Sequence, residues 1–269
     1  MTSQTAAVVD IADADDPRLD DYRTLRDPEL RKRYEGSAGV FIAEGPAVVR
    51  ALLTSRYPVR SLLCDLRRAR ELAPDAAARG APTYAVERDL LFEVVAFPAH
   101  QGALACGRRL PPRNPAEVIA GASRVVLLEA MNDHENMGAI FRTARGLGAD
   151  AVLLGPRCAD PLYRRCVRVS MGHVLHVPHA PVADVPSGME LLADAGFTTV
   201  ALTPSLTARP ISTLDRARPL ALLLGAEGPG LQPTTLSRAD VQARIPMAAG
   251  VDSLNVSAAA AIALHALRP

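Results

Sequence analysis

Short, continuous apolar runs dominate the second half of the chain and constrain its fold more than any other feature. They have the length of strands and do not alternate between apolar and polar residues. A strand with this pattern is buried on both faces, as in a mainly parallel sheet covered by helices. Helical patterns separate several of the runs, so their order predicts an α/β fold. The runs span residues 124–129, 151–154, 173–177, 198–202 and 220–224.

Charge and proline content divide the rest of the chain. Residues 1–22 hold six aspartates and few large apolar side chains, which predicts a mobile acidic tail. Residues 23–110 carry 15 Lys and Arg against 10 Asp and Glu, and they include a short basic helix from Pro28 to Tyr34 and a strand at 40–43. We predict a smaller α/β domain over 23–110, a proline-rich linker over 111–119 and the parallel-sheet domain over 120–269.

Composition excludes several classes of protein. The 269 residues are 49% hydrophobic with a net charge of +1, and no apolar run approaches the length of a membrane span. The acidic start does not resemble a signal peptide, so we expect a cytoplasmic protein without a membrane partner. Four scattered cysteines form no CxxC pair, which predicts reduced thiols.

Three histidines, at 173, 176 and 179, recur every third residue and raise the question of a metal site. In a strand this spacing places successive side chains on alternating faces, and Pro178 interrupts any helix. The three rings would not converge on one ion, so we expect no bound metal.

Three polar segments follow predicted strands, where open α/β sheets place their ligands. The first, at 132–144, contains Asn136 and, six residues later, Arg142. Asn136 is a candidate N-cap, and Arg142 projects from another part of the helix. A capped helix with a solvated arginine explains this segment equally well.

The second segment is a turn rich in glycine, Gly225-Ala226-Glu227-Gly228-Pro229-Gly230. Its backbone is open to close approach by a ligand. It lacks the Gly-Lys-Ser/Thr of a phosphate loop, and Glu227 would repel a phosphate. The turn therefore suits a neutral or cationic ligand.

The third segment consists of Ile245-Pro246-Met247 and then Ser253-Leu254-Asn255-Val256-Ser257, which leads into an alanine-rich helix. Ser253, Asn255 and Ser257 are each candidate N-caps for that helix. Taken singly, helix capping is sufficient to explain these polar residues.

Together the three segments resemble, in their order and residue patterns, the motifs of the SpoU or TrmH-type branch of the SPOUT RNA methyltransferases. The first matches the family's Asn-x-Gly-x-x-x-Arg pattern at Asn136, Gly138 and Arg142, and the turn matches Leu-Gly-x-Glu-Gly-x-Gly. Residues 168–172 also resemble the family's Arg-x-Ser-x-Gly segment. One departure is Asn132-Asp133-His134-Glu135 before Asn136, where family members usually read Asp-Pro-x-Asn.

The first half of the chain is similar to the substrate-binding domain, with a fold like ribosomal protein L30e, that precedes many such catalytic domains. This similarity depends on Phe41-Ile42-Ala43-Glu44-Gly45-Pro46, which matches a Phe-x-x-Glu-Gly signature, and on the basic helix before it. It implies that residues 23–110 bind RNA.

The resemblance implies a homodimer that binds S-adenosylmethionine in a deep trefoil knot and methylates a ribose 2′-hydroxyl of RNA, with ribosomal RNA favoured over transfer RNA. It implies a catalytic Arg142, which we interpret as a phosphate clamp and electrostatic support, because arginine resists deprotonation. The other implied catalytic residues are Asn136, expected to orient Arg142 or the ribose, Glu227 and Asn255. The implied cofactor residues are Gly225, Glu227, Ile245, Met247, Ser253 and Leu254. The candidate RNA contacts are Arg23, Arg31, Lys32, Arg33, Arg164 and Arg165.

Two alternatives remain open at this point. The chain could be an RNA-binding protein that kept the fold and lost transfer, although Arg142, Glu227 and Asn255 are all present. It could instead methylate a protein or a small molecule, for which a basic first domain would have no evident use.

Overall fold

The computed structural model describes residues 8–97, 99, 101–215 and 219–268, without the side chains of Pro28 and Lys32. The strands described are β1 Val8–Asp10, β2 Val40–Glu44, β3 Val59–Asp65, β4 Thr83–Val86, β5 Ala103–Arg108, β6 Arg124–Leu128, β7 Ala151–Leu154, β8 His179–Pro181, β9 Thr198–Leu202, β10 Arg209–Pro210, β11 Leu220–Leu224 and β12 Val241–Arg244. The α-helices described are α1 Pro28–Ala38, α2 Pro46–Leu53, α3 Leu66–Ala78, α4 Arg88–Val95, α5 Pro115–Ile119, α6 His134–Leu147, α7 Arg164–Val169, α8 Val185–Asp194, α9 Pro233–Arg238 and α10 Val256–Ala266.

The chain forms two compact units. The first consists of the residues up to Pro111 together with Leu162–His176, and the second consists of Pro112–Pro161 together with the residues from Val177 onward. The predicted boundary near 111 is therefore one of three places where the chain passes between units. The prediction of one continuous domain over 120–269 is wrong for residues 162–176.

The first unit is built on a mixed sheet, which in the described residues has the order β1-β4-β3-β5-β2. Strands β1, β4 and β3 are parallel, while β5 runs antiparallel to β3 and to β2. α1 begins at Pro28 because the Asp27 carboxylate accepts the N–H groups of Glu29 and Leu30, and it ends at Gly39, whose φ is 63°.

The predicted mobile acidic tail is wrong for residues 8–22. β1 pairs with β4, and Leu19 and Tyr22 in the following 3₁₀ helix are fully buried. The Tyr22 hydroxyl lies 2.7 Å from the Ser61 hydroxyl. The few apolar side chains between the aspartates thus supply enough burial to anchor the segment. Residues 1–7 of the predicted tail lie outside the described residues.

The second unit is built on a sheet whose described strands are all parallel, in the order β10-β12-β9-β11-β6-β7-β8. Side chains on its central strands, such as Leu127, Leu153 and Leu223, are fully buried. The predicted α/β fold with a parallel sheet is confirmed. The trefoil knot stays a prediction.

Two further sequence predictions are corrected here. Residues 115–119 are not linker but helix α5, capped by Asn114, with Val118 and Ile119 in the core of the second unit. The predicted strand at 173–177 is wrong, because His173–Leu175 is a 3₁₀ helix in the first unit. The strand begins later, as β8 at His179–Pro181.

Gly172 explains why the chain turns before the 3₁₀ helix His173–Leu175. Gly172 has a φ of 77°, and a Cβ there would lie 2.4 Å from the Cβ of Ala51, so only glycine permits such close packing on α2. The Nε2 atom of His176 lies 3.0 Å from the carbonyl oxygen of Ala51 and fixes the end of the segment.

In the described ranges, no helix is both long and apolar enough to cross a membrane.

Candidate functional site

The three polar segments lie at one edge of the parallel sheet in the second unit. They follow β6, β11 and β12, and the adjacent order β12-β9-β11-β6 brings their carboxyl ends together. Parallel strands all end at the same edge, where open α/β sheets bind ligands. The topology therefore brings the first segment to the other two, with Asn136 lying 91 residues before Glu227 and 119 before Asn255.

A cavity of about 440 Å³ lies at this edge. The residues predicted to hold the cofactor all line it, and so does Asn255, whereas Arg142 and Asn136 do not. The predicted residues that line it are Gly225, Glu227, Ile245, Met247, Ser253 and Leu254.

The glycine-rich turn after β11 forms one wall of the cavity, and its shape requires glycine. A Cβ on Gly225 would lie 2.1 Å from the carbonyl carbon of Gly230. Gly228 and Gly230 have φ values of 87° and 69°, and the Gly230 N–H donates to the Ala226 carbonyl at 3.0 Å. The turn folds tightly on itself and leaves its backbone, rather than side chains, to face a ligand.

Three side chains, one from each segment, form a chain of hydrogen bonds. The Asn136 Nδ2 donates to Glu227 Oε2 at 2.8 Å, and the Asn255 Nδ2 donates to Asn136 Oδ1 at 2.9 Å. Asn255 Oδ1 then accepts the N–H groups of Ser257 and Ala258 at 2.9 and 3.3 Å. We call Glu227, Asn136 and Asn255 the amide relay.

The chemistry at its two ends fixes the direction of the amide relay. An ionised Glu227 carboxylate can only accept hydrogen bonds, so Asn136 must turn its NH₂ group toward it. The first N–H groups of α10 can only donate, so Asn255 must turn its oxygen toward them. Each amide therefore has one orientation that satisfies both of its neighbours.

Capping of the helices differs in part from the prediction. Asp133, not Asn136, caps α6, and its Oδ1 accepts the Asn136 N–H at 2.7 Å. Asn136 therefore lies in the first turn, with its side chain free to join the amide relay. Of the three candidates for α10, Asn255 is the N-cap.

Arg142 is exposed on α6 and makes no hydrogen bond or ion pair with any residue that the structure describes. Asn136 does not bond to it, because the amide of Asn136 is bonded to Glu227 and Asn255, and the other expected role of Asn136, in orienting the ribose, stays a prediction. The guanidinium is free to meet a ligand from solution.

The prediction that Arg31 contacts RNA is wrong. Its side chain is 2% exposed, with Nε 2.8 Å from Glu35 Oε1 and Nη1 2.7 Å from the Asp21 carbonyl. An arginine on a basic stretch points inward here because a buried carboxylate one turn later compensates its charge.

Arg164 lies in a cluster of the first unit. Its Nη1 is 2.5 Å from Glu44 Oε2, its Nη2 donates to the Leu25 carbonyl at 3.1 Å, and its guanidinium packs on the Phe97 ring. Arg168 adds a weaker contact to Glu44 at 3.5 Å. The Phe-x-x-Glu-Gly signature and the Arg-x-Ser-x-Gly segment, which the sequence assigned to separate domains, therefore meet through Glu44.

The other candidate RNA contacts differ in exposure. Arg33 and Arg165 are exposed, while Arg23 is half-buried with its Nε 3.0 Å from Asp20 Oδ1. The side chain of Lys32 lies outside the described residues.

Sequence reasoning missed Glu129, which directly follows β6. It is 7% exposed, its Oε2 accepts the Gln232 N–H at 3.0 Å, and its Oε1 accepts the Thr235 hydroxyl at 2.9 Å. The available signal was a carboxylate at the end of a buried apolar strand, where burial without hydrogen bonds would be costly.

Potential metal ligands do not gather around the cavity. Among the described residues there is no group of three or more His, Cys, Asp or Glu side chains arranged to hold an ion.

These features define an α/β protein that binds a small ligand at the carboxyl edge of a parallel sheet. The model of the SpoU rRNA Methylase family matches residues 123–265, which is more than half of the chain. The chain belongs to this family, as the sequence motifs predicted.

Relatives and solved structures agree with this assignment. The chain is 47% identical over 96% of its length to an uncharacterized tRNA/rRNA methyltransferase of Mycobacterium tuberculosis, of which it covers 91%. It is 28% identical over 96% of its length to the 23S rRNA (guanosine(2553)-2′-O)-methyltransferase RlmP of Bacillus subtilis, of which it covers 98%. The AdoMet-bound rRNA methyltransferase of Sinorhizobium meliloti superposes with a TM-score of 0.83 at 26% identity, with 97% of both chains covered.

Proposed function

We propose that this SpoU-family methyltransferase transfers a methyl group from S-adenosylmethionine to a ribose 2′-hydroxyl of RNA, and that ribosomal RNA is its substrate. The observation that carries the proposal is the amide relay, because it joins all three family motifs by side-chain hydrogen bonds, and two of its members, Glu227 and Asn255, line one cavity. Helix capping alone, the alternative for each motif taken singly, does not require such a connection.

The cavity fits the proposed cofactor. Its volume is in the range of small-molecule sites, and Leu224, Ile245 and Leu254 offer an apolar wall to a purine base. Gly225, which has no room for a Cβ, brings backbone N–H and C=O groups to the surface of the cavity. The Glu227 carboxylate complements a positive charge, such as a sulfonium or an amino group. When bound, S-adenosylmethionine supplies a methyl group activated by its positively charged sulfur.

Arg142 is the residue we propose for the chemical step. Its guanidinium stays protonated, so it does not serve as a general base. Exposed and unpaired among the described residues, it can bind the phosphate next to the target ribose and stabilise negative charge that develops on the 2′-oxygen. Asn136, Glu227 and Asn255 act on the shape of the cavity through the amide relay.

Support for ribosomal RNA comes from the relatives. The Bacillus subtilis enzyme, which methylates guanosine 2553 of 23S rRNA at the 2′-oxygen, aligns along both units of this chain. The Sinorhizobium meliloti structure, which also covers both units, is of an rRNA methyltransferase. We propose that the first unit binds the RNA, with exposed Arg33 and Arg165 among its phosphate contacts.

We also propose that the protein works as a homodimer. The segment at the end of the chain carries exposed apolar side chains, with Val251 47%, Leu254 38% and Ile262 42% exposed. Exposed apolar side chains of this size favour association with a second copy if they form one surface. Analytical ultracentrifugation is expected to give twice the monomer mass of 28.5 kDa, and a monomer at micromolar concentration would overturn this part of the proposal.

The test of the proposed function is transfer of a labelled methyl group from S-adenosylmethionine to RNA isolated from a host lacking the gene. Ribosomal RNA and transfer RNA are assayed separately, and labelled RNA is then digested with alkali. We expect label in ribosomal RNA within an alkali-resistant dinucleotide, because a 2′-O-methyl group removes the nucleophile that cleaves the next phosphodiester. Label that alkali releases as mononucleotide would exclude ribose methylation.

Two alternatives are tested by further measurements. RNA binding without cofactor binding or transfer would favour a protein that binds RNA without methylating it. Activity that persists when the RNA contacts of the first unit are removed would favour a small-molecule substrate.

A further inference from the structure

Glu129 is a buried carboxylate that the proposed chemistry does not use. It lies directly after β6, and no arginine, lysine or histidine among the described residues forms an ion pair with it. Its two oxygens accept one hydrogen bond each from neutral donors, the Gln232 N–H at 3.0 Å and the Thr235 hydroxyl at 2.9 Å. A buried carboxylate is costly to retain, so its contacts are informative about what the fold needs at this place.

Glu129 contacts both ends of the glycine-rich turn, one through its backbone N–H and the other through its carboxylate. The turn begins after Leu224, whose carbonyl accepts the backbone N–H of Glu129 at 2.8 Å. It ends before Gln232, whose N–H donates to the Glu129 carboxylate. Glu129, just beyond the end of the neighbouring strand β6, is therefore bonded to the residues on either side of the seven-residue turn 225–231. These two bonds fix the distance between the ends of the turn.

The same residue lies at the base of the loop that carries Asn136. The next residue, Ala130, has a φ of 53°, a left-handed conformation that costs energy for a residue with a side chain. The chain turns there toward Asp133, which caps α6 and places Asn136 in its first turn. Glu129 therefore lies at the base of both segments whose side chains, Asn136 and Glu227, bond to each other.

We propose that Glu129 is a positioning residue for the cofactor cavity: it clamps the two ends of the turn so that the backbone of residues 225–231 and the Glu227 carboxylate are held in place before the ligand arrives. This inference depends on the proposed function for the identity of the ligand, S-adenosylmethionine. A preorganised wall binds more tightly, because less conformational freedom is lost on binding.

The opposite edge of the sheet provides a control with the same kinds of hydrogen bond on an exposed carboxylate. Asp240 precedes β12, and its Oδ2 accepts the Thr199 N–H at 2.8 Å and the Thr199 hydroxyl at 2.6 Å. Its partners are therefore of the same kind as those of Glu129, a backbone N–H and a threonine hydroxyl. Asp240 does not line the cavity, so its loss affects the fold without affecting the cavity wall.

The experiment measures S-adenosylmethionine binding by titration calorimetry on the full chain, and amide hydrogen exchange on the protein without ligand. The variants are Glu129→Ala, Glu129→Gln and Asp240→Ala. We expect Glu129→Ala to weaken binding by about tenfold or more and to speed exchange in residues 225–232. We expect Glu129→Gln to retain binding within a few-fold, since Gln keeps an acceptor for Gln232 and Thr235 can accept from its NH₂ group. Asp240→Ala is expected to leave both readouts at this edge unchanged.

Equal binding by Glu129→Ala and wild type, or equal weakening by Glu129→Ala and Asp240→Ala, would overturn the inference. If Glu129→Ala does not fold, Glu129→Asp replaces it as the test variant. Its carboxylate is one methylene too short to reach both Gln232 and Thr235, so we expect it to bind S-adenosylmethionine more weakly. Wild-type affinity of Glu129→Asp would contradict the clamp. A wild-type protein that binds no S-adenosylmethionine would instead overturn the proposed function. The exchange measurement would still decide whether Glu129 holds the turn.

Discussion

The two edges of the parallel sheet in the second unit use the same kinds of polar side chain for different roles. At the amino edge, Asp150 Oδ2 accepts the N–H groups of Ser123 and Arg124, each at 2.8 Å, and Asp240 closes on Thr199 in the same way. At the carboxyl edge, Glu227 and Asn136 bond to each other beside a cavity, and Arg142 is exposed without an ion pair to any described residue.

The two edges differ in which segments their hydrogen bonds join and in whether donors and acceptors remain available to a ligand. The amino-edge carboxylates bind the adjoining starts of strands and line no cavity, so their bonds stabilise the fold. The carboxyl-edge groups join distant segments and keep donors and acceptors available to a ligand. Four predictions test whether stability and function separate between the edges in this way.

The largest effect is expected for Arg142→Ala. Removal of the only group we assign to the chemical step should lower the rate of methyl transfer by about 10²-fold or more, with cofactor affinity unchanged. Arg145→Ala removes an exposed arginine of the same helix and should keep most of the activity. Single-turnover rates and calorimetric binding check both variants, and near wild-type transfer by Arg142→Ala would remove Arg142 from the chemistry.

The next effect is expected for Gly225→Ala. The added Cβ would collide with the backbone of Gly230, so the turn must shift and the affinity for S-adenosylmethionine should fall by about tenfold or more. Gly146→Ala is the control, since nothing lies within 4 Å of a Cβ there and the position is helical. The control should gain about 0.5–1 kcal/mol of stability at unchanged affinity. Tight binding by Gly225→Ala would show that the turn is not a wall of the ligand site.

Asn136→Asp should weaken binding and make it dependent on pH. An ionised aspartate cannot donate to Glu227, and two adjacent carboxylates disfavour each other's ionisation, so one takes up a proton as the pH falls and restores the bond. Affinity should therefore improve from pH 8 to pH 5.5 in the variant more than in wild type. Asn136→Ala has no such group, and an equal pH response in both variants would contradict the relay.

The smallest functional effect is expected for Asp150→Ala. Three exposed donors lose their acceptor, including the Ser123 hydroxyl at 3.1 Å, and because water can replace it the free energy of unfolding should fall by only about 0.5–1.5 kcal/mol. Cofactor affinity and the transfer rate should be unchanged below the melting transition. Urea unfolding paired with titration calorimetry separates the two quantities, and a large loss of affinity would mean that the edges are not independent.

Much of this molecule could be predicted from its sequence. Non-alternating apolar runs predicted the parallel sheet because side chains buried on both faces must all be apolar. The three motifs predicted one site because segments that follow parallel strands end at the same edge. The six residues predicted to bind the cofactor line one cavity for the same reason.

Burial of charged side chains could not be predicted in this way. Arg31 belongs to a basic run that is typical of a solvated helix, yet it is buried because Glu35 and the Asp21 carbonyl compensate it. Glu129 shows no motif, and only its position after β6, opposite Gln232, reveals what it holds.

The order of apolar, polar and glycine residues along the chain thus determined the α/β fold, the edge at which the site lies and the family. These are properties of local periodicity and of strand direction, which each segment carries by itself. The tertiary structure decided which side chains bond to each other: the amide relay across three segments, the clamp at Glu129 and the docking of residues 162–176 in the first unit. Such pairings depend on contacts between residues far apart in sequence, and only packing brings their atoms within hydrogen-bond distance.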